Sequence, residues 1–241
     1  MSALATPRST AFPFLERPIP AVLLAVISGL LNAWTYMQVQ AFATVQSGNI
    51  VTIGYALGQH DWQRTAIALA SIAAFSAGAA TCAVAVALIQ KAAHEYSVAV
   101  LVFEGCALAV CTVASVFGTS ATVIALVISF LAGIQGNAFH REAGMLYGNV
   151  AVTFVVQSVG SLLGRAAVFR VAPDGQPHLG PAGEYFVVLV GFAAGGAAGF
   201  ALSSLWTSGA LAAAAALLLG LAVAGGLTRG AIDPSQNNPT P

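Results

Sequence analysis

Six runs of apolar residues, near positions 19–40, 65–90, 97–117, 119–139, 184–205 and 207–228, alternate with short polar breaks. Each run can cross a hydrocarbon core of about 30 Å at about 1.5 Å per residue. Inside lipid every backbone N–H and C=O must find a partner within the chain. The runs therefore predict α-helices and exclude an open sheet. Two shorter apolar segments, 44–58 and 145–164, remain. The first would reach only about 22 Å as a straight helix, and Gln46-Ser47-Gly48-Asn49 interrupts it. It predicts a broken or re-entrant segment, and the second is read the same way. The fold class is all-α, a polytopic membrane helical bundle of six spans; eight spans is the alternative if both short segments cross. Residues 1–18 and 229–241 read as polar tails around a single membrane domain, 19–228.

The polar interruption recurs. Tyr147-Gly148-Asn149 stands in the second half where Ser47-Gly48-Asn49 stands in the first. Each follows a helix ending in similar chemistry, Gly29-x-x-Asn32-Ala33 and Gly133-Ile134-Gln135-x-Asn137-Ala138. Ala74, Gly78 and Cys82 parallel Gly191, Gly195 and Gly199, small residues every four positions on one helix face, where helix backbones can approach closely. The halves, about 19–117 and 119–228, each hold three spans and one short segment. An odd number of spans inverts the second half, the plan of many secondary transporters, in which interrupted helices meet near the midplane. With eight spans the halves would be parallel.

Composition narrows the class. Only 7% of residues are charged and 58% are hydrophobic, against about a quarter charged in soluble chains, so lipid must solvate much of the surface. A net charge of zero and the absence of a basic run argue against a nucleic-acid partner. With the N-terminus inside and six spans, Arg8, Arg17, Lys91, Arg141, Arg165, Arg170 and Arg229 all fall on the cytoplasmic side, leaving Arg64 outside. The first apolar run outlasts an ordinary signal-peptide core and reads as a retained span. The expected location is a bacterial inner membrane, with both termini cytoplasmic. Trp62, Tyr96, Tyr185 and Trp206, at run ends, read as interfacial anchors.

These residues carry a resemblance. The chain resembles the YoaK-like family of small bacterial membrane proteins, a family with a domain of unknown function, over most of 19–228. The matching features are Gly29-x-x-Asn32-Ala33, Ser47-Gly48-Asn49 with Gly54, the Gly58-x-x-Asp61-Trp62 turn, the Ala74–Cys82 small-residue face, and Gly133-Ile134-Gln135 with Asn137-Ala138. The family usually has Thr before Gly-Asn, where this chain has Ser47 and Tyr147, and an acid at the position of Asn32. That missing charge weakens a proton-coupling role for the first helix. The resemblance implies an inner-membrane helical protein and no particular activity.

The candidate chemistry is sparse. Glu104 lies inside the third run, and an acid at membrane depth is costly enough to mark a site or a proton relay, unless it sits at a hydrated interface. Gly48 and Gly148 permit a tight turn, and Asn49 and Asn149 can cap the helix that follows. Such a helix end, exposed inside the protein, would hold an anion or carboxylate; a plain membrane-edge cap is the other reading. As a cap, Asn49→Asp would leave the fold intact. Gln157 and Ser158 face either a cavity or a neighbouring helix, and helix packing is the favoured reading. Cys82, Cys106 and Cys111 form no C-x-x-C, and the histidines have no metal-ligand spacing, so neither metal nor cofactor is expected. No catalytic motif appears, which argues against an enzyme. The expected function is transport of a small solute, an anion or zwitterion, along Asn32, Ser47, Gly48, Asn49, Glu104, Asn137, Gly148 and Asn149. The alternative is a membrane scaffold or assembly factor using the faces of Gly78 and of Gly191, Gly195 and Gly199. Expected partners are the lipid bilayer and a small-molecule or ion substrate; a homo-oligomer stays open.

Overall fold

The computed structural model describes residues 17–90, 97–139, 141–142, 145–146, 152–171 and 174–227. It is a helical membrane bundle: α1 (Pro18–Val39), α2 (Gln46–Gly58), α3 (Trp62–Gln90), α4 (Ser97–Val116), α5 (Ala121–Ala138), α6 (Val152–Val168), α7 (Leu179–Leu205) and α8 (Gly209–Leu227). Six of these, all except α2 and α6, are long and apolar enough to cross a membrane. Large apolar side chains such as Val84, Leu88, Val110, Phe200 and Val223 are exposed on them, as a lipid-facing surface requires. The sequence did not anticipate the two-residue antiparallel ladder that pairs Arg141 with Leu146 and Glu142 with Met145.

α1 is the central helix. Ala21, Leu24, Ala25, Ile27, Ser28, Leu30, Leu31 and Trp34 are buried, residues that together cover more than half of the circumference of a helix of 3.6 residues per turn. Two close crossings organise the bundle. Gly191, Gly195 and Gly199 of α7 lie against Val22, Val26 and Leu30 of α1 in that order, so these helices run parallel. In α3 and α5, Ser71 meets Ser129 and Phe75 and Ala79 meet Gly133, again in parallel. The crossings are built alike. A Cβ on Gly29 would strike the Phe192 carbonyl and the backbone of Gly195 and Gly196; one on Gly133 would strike the Phe75 carbonyl and the Ala79 nitrogen. A Cβ on Gly195 would strike the Val26 carbonyl, and one on Gly78 the Phe130 carbonyl. One constant shift in numbering carries Val26 and Gly29 onto Phe130 and Gly133. Another carries Phe75, Gly78 and Ala79 onto Phe192, Gly195 and Gly196. Side-chain-free contact on this scale is the close packing that small residues permit in lipid.

Ser115 contacts Ser208 and Gly105 contacts Leu219, so α4 and α8 run antiparallel. The ends of α1 and α2 and the turn before Trp62 form one face of the bundle. The starts of α1 and α7 and the end of α6 form the other. Arg17, Arg165 and Arg170 share the second face, and Arg64 lies at the first.

Element bounds differ from the sequence reading in instructive places. α7 begins at Leu179, so Glu184 sits in its second turn and does not open the span. Tyr185, expected as an interfacial anchor, is buried with Ala21, Ala25, Val155 and Val188 where α6 closes over α1 and α7. Trp62 and Trp206 are exposed at helix ends, and Tyr96 lies outside the described residues.

Candidate functional site

After Val39 the chain turns back into the bundle. Gln40 adopts a left-handed conformation, φ 54°, and ends α1. Ala41, Ala43 and Thr44 are buried. Asn32, about 10 Å before the end of α1, reaches Thr44: its Nδ2 donates to Thr44 Oγ1, and the Thr44 N–H donates to its Oδ1 at 3.0 Å. Residues 40–45 therefore dip below the α1 terminus before α2 returns to the same face.

A buried loop has no helical partners for its backbone, and lipid supplies none. Asn49 fills that role. The Phe42 N–H donates to Asn49 Oδ1 at 2.9 Å, and Asn49 Nδ2 donates to the Phe42 carbonyl at 2.6 Å. Nδ2 also lies 2.7 Å from Gln46 Oε1 and 3.1 Å from Ser71 Oγ. Ser71 donates to the Phe42 carbonyl at 2.9 Å and sits 2.9 Å from Ser129 Oγ. Asn49 is fully buried, and its amide capacity is filled.

The expectation of a helix broken at Ser47-Gly48-Asn49, with Asn49 as its cap, is corrected. α2 is continuous from Gln46, and its N-cap is Val45, with no side-chain cap bond. Gly48 has no positive φ. Glycine fits there because a Cβ would come within 2.7 Å of the Phe42 ring. Ser47 is exposed. Gly148 and Asn149 lie outside the described residues.

The remaining candidates gather nearer the opposite face. Glu104 on α4 is 2% exposed, and its Oε1 has no hydrogen-bond partner among the described residues. It lies within electrostatic reach of Cys82 on α3, which in turn lies beside the Asn137 side chain on α5. Three helices thus converge on one acid, one thiol and one amide. Gln135 Nε2, two residues before Asn137 on α5, and Ser28 Oγ are also buried and without partners among the described residues. Asn32 and Asn49 belong to the loop clamp, and Asn137 to the Glu104 group; the structure does not gather all the predicted residues into one cluster.

Thr44, Gln46, Ser71, Ser129 and Cys82 carry these networks without having been singled out as site residues. The pattern held a signal for two of them. Ser71 shares a helix face with Gly78, and Ser129 with Gly133, so both hydroxyls sit on the face that closes the α3–α5 crossing. No group of three or more His, Cys, Asp or Glu residues that could hold a metal occurs among the described residues.

A family model matches residues 20–224, and its description is protein of unknown function (DUF1275). No curated protein and no solved structure matches the chain.

Proposed function

The chain belongs to this family of proteins of unknown function, and from that premise we propose that it is a small-solute transporter in which Glu104 receives the solute or its coupling ion. The observation that carries the reading is the carboxyl of Glu104, buried in a membrane bundle with one oxygen unpartnered among the described residues. An acid in that setting is costly and is tolerated where it pairs with something. The Cys82–Asn137 pair beside it supplies further polar atoms. The acid favours a cation, or the positive group of a zwitterion. The anion reading loses support at Asn49, because its side-chain amide is engaged with its own loop.

The alike crossings of α1 with α7 and of α3 with α5 support two inverted halves, the architecture on which many transporters rock around a central site. A YoaK-like membership is the finer family assignment we adopt with this reading. The clustering of Arg17, Arg165 and Arg170 at one face supports an inner membrane location with that face cytoplasmic. The scaffold reading would use the glycine faces for partner helices, but those faces are filled by α1 and α5 of the same chain.

The test is a thermal-shift survey of the detergent-purified protein against monovalent cations, amines and amino acids. A solute of this class should raise the melting temperature of the wild type and leave Glu104→Gln unmoved. Equal shifts in both proteins would remove Glu104 from the site.

A further inference from the structure

A groove of about 400 Å³ opens on the flank of the bundle between α6 and α7. The position of its lining residues along the membrane normal is informative. α6 ends beside the start of α7, because Arg165 Nη1 lies 3.8 Å from Asp174 Oδ2 in the connection between them. Arg165 is therefore at the membrane edge, and Phe154, about 16 Å back along the helix, is deeper. Phe154, Ser158, Ser161 and Arg165 follow one another on one face of α6, with Gln157 alongside. The lining thus grades from an aromatic ring through an amide and hydroxyls to a guanidinium. The adjoining face of α6, through Val155, Val159 and Leu162, packs on α1 and α7 and fixes the helix in place, and Leu162 also borders the groove.

We propose that this groove seats a membrane phospholipid, its phosphate on Arg165 and its acyl chain along Phe154. The grading is that of a lipid read from headgroup to tail. A guanidinium is suited to a phosphate because its planar fork matches the phosphate oxygens. Its contact with Asp174 is loose, and the Arg165 side chain remains 64% exposed. Asp174 is held elsewhere, accepting from the Gln176 N–H at 3.1 Å and lying 2.9 Å from His178 Nε2. Gln157 and Ser161, which carry an amide and a hydroxyl donor, line the same opening, whereas the Ser158 hydroxyl donates to the Phe154 carbonyl. A soluble phosphate would use the same cation and donors but gain nothing from Phe154 and Leu162.

The full-length protein, purified and delipidated in mild detergent, is titrated with phosphatidylglycerol, with phosphatidylethanolamine and with inorganic phosphate, and the bound states are counted by native mass spectrometry. One phospholipid should bind above the unspecific background, and Arg165→Gln should weaken it about tenfold or more. Arg170→Gln, which removes a cation at the same face outside the groove, should leave it unchanged. Phe154→Ala should weaken phospholipid binding as well. Wild-type binding no tighter than that of Arg165→Gln, or equal losses from Arg165→Gln and Arg170→Gln, would overturn the proposal in favour of unspecific lipid. Inorganic phosphate alone binding with the same Arg165 dependence and no effect of Phe154→Ala would overturn it in favour of a soluble ligand. Thermal unfolding of each variant separates lost binding from lost fold. Leu162, which packs on the core, is left unaltered.

Discussion

Asn49 and Phe42 are joined in both directions: the Phe42 N–H donates to Oδ1 at 2.9 Å, and Nδ2 donates to the Phe42 carbonyl at 2.6 Å. The pair does for a buried loop what a neighbouring strand does in a sheet. It makes residues 40–45 compatible with a membrane interior, and it places α2 alongside α3.

Substitution at Asn49 separates this clamp from a helix cap. Asn49→Ala should cost about 1–3 kcal/mol, because a buried backbone donor is left unpaired. Asn49→Asp should be at least as damaging, since a carboxylate cannot donate to the Phe42 carbonyl and would face it. A cap would tolerate Asp. Thermal unfolding of both variants in detergent decides the matter, and an Asp variant as stable as the wild type would contradict the clamp.

Adjacent glycines on α7 should behave in opposite ways. A Cβ at Gly195 meets the Val26 backbone, whereas one at Gly196 meets nothing within 4 Å. Gly195→Ala should destabilise by about 1–3 kcal/mol through overpacking. Gly196→Ala should be neutral or stabilising by up to about 1 kcal/mol from helix propensity. Similar melting temperatures for the two variants would mean that α1 and α7 do not cross as described.

The α6–α7 connection should respond to acid. The Gln176 backbone N–H, and then the contact with His178, hold the Asp174 carboxyl below its ordinary value of 3.8. A lowered folded value contributes stability that is fully present above the ordinary value and is lost as pH falls through the lowered one. Hydrogen exchange in the first turn of α7 should therefore accelerate only in that acid window. Asp174→Asn should abolish the pH dependence; an unchanged profile would assign it to another group.

Single cysteines in a cysteine-free background report the course of α2 and α6. Gln40 and Gln59 should label from one side of the membrane, and Gln176 from the other. Gln59 and Gln176 labelling from the same side would mean that the short helices cross.

The span pattern was legible because lipid forces apolar length onto a helix, and the glycine faces were legible because backbone contact demands small residues at fixed spacing. The role of Asn49 was not. An Asn near a helix start satisfies the cap rule from local sequence alone, while its real partner, Phe42, is defined by a loop that folds back. Asn32 was expected to line a solute path, but its partner Thr44 lies across the same turn. Tyr185 was misplaced for a related reason: α6 covers it, and the position of a short helix is set by packing that periodicity does not encode. Glu104 could be singled out by its cost in the membrane, whereas its neighbours Cys82 and Asn137 come together only through the crossing of α3 and α5.

Solute flux through reconstituted protein tests the central claim most directly. Wild-type and Glu104→Gln proteins are placed in proteoliposomes, and solute-evoked currents and uptake are recorded for the cations and amino acids that shift the wild-type melting temperature. The account predicts flux with the wild type and its loss in a folded Glu104→Gln protein. Equal flux in the two, or no flux in the wild type for solutes that bind it, would contradict it.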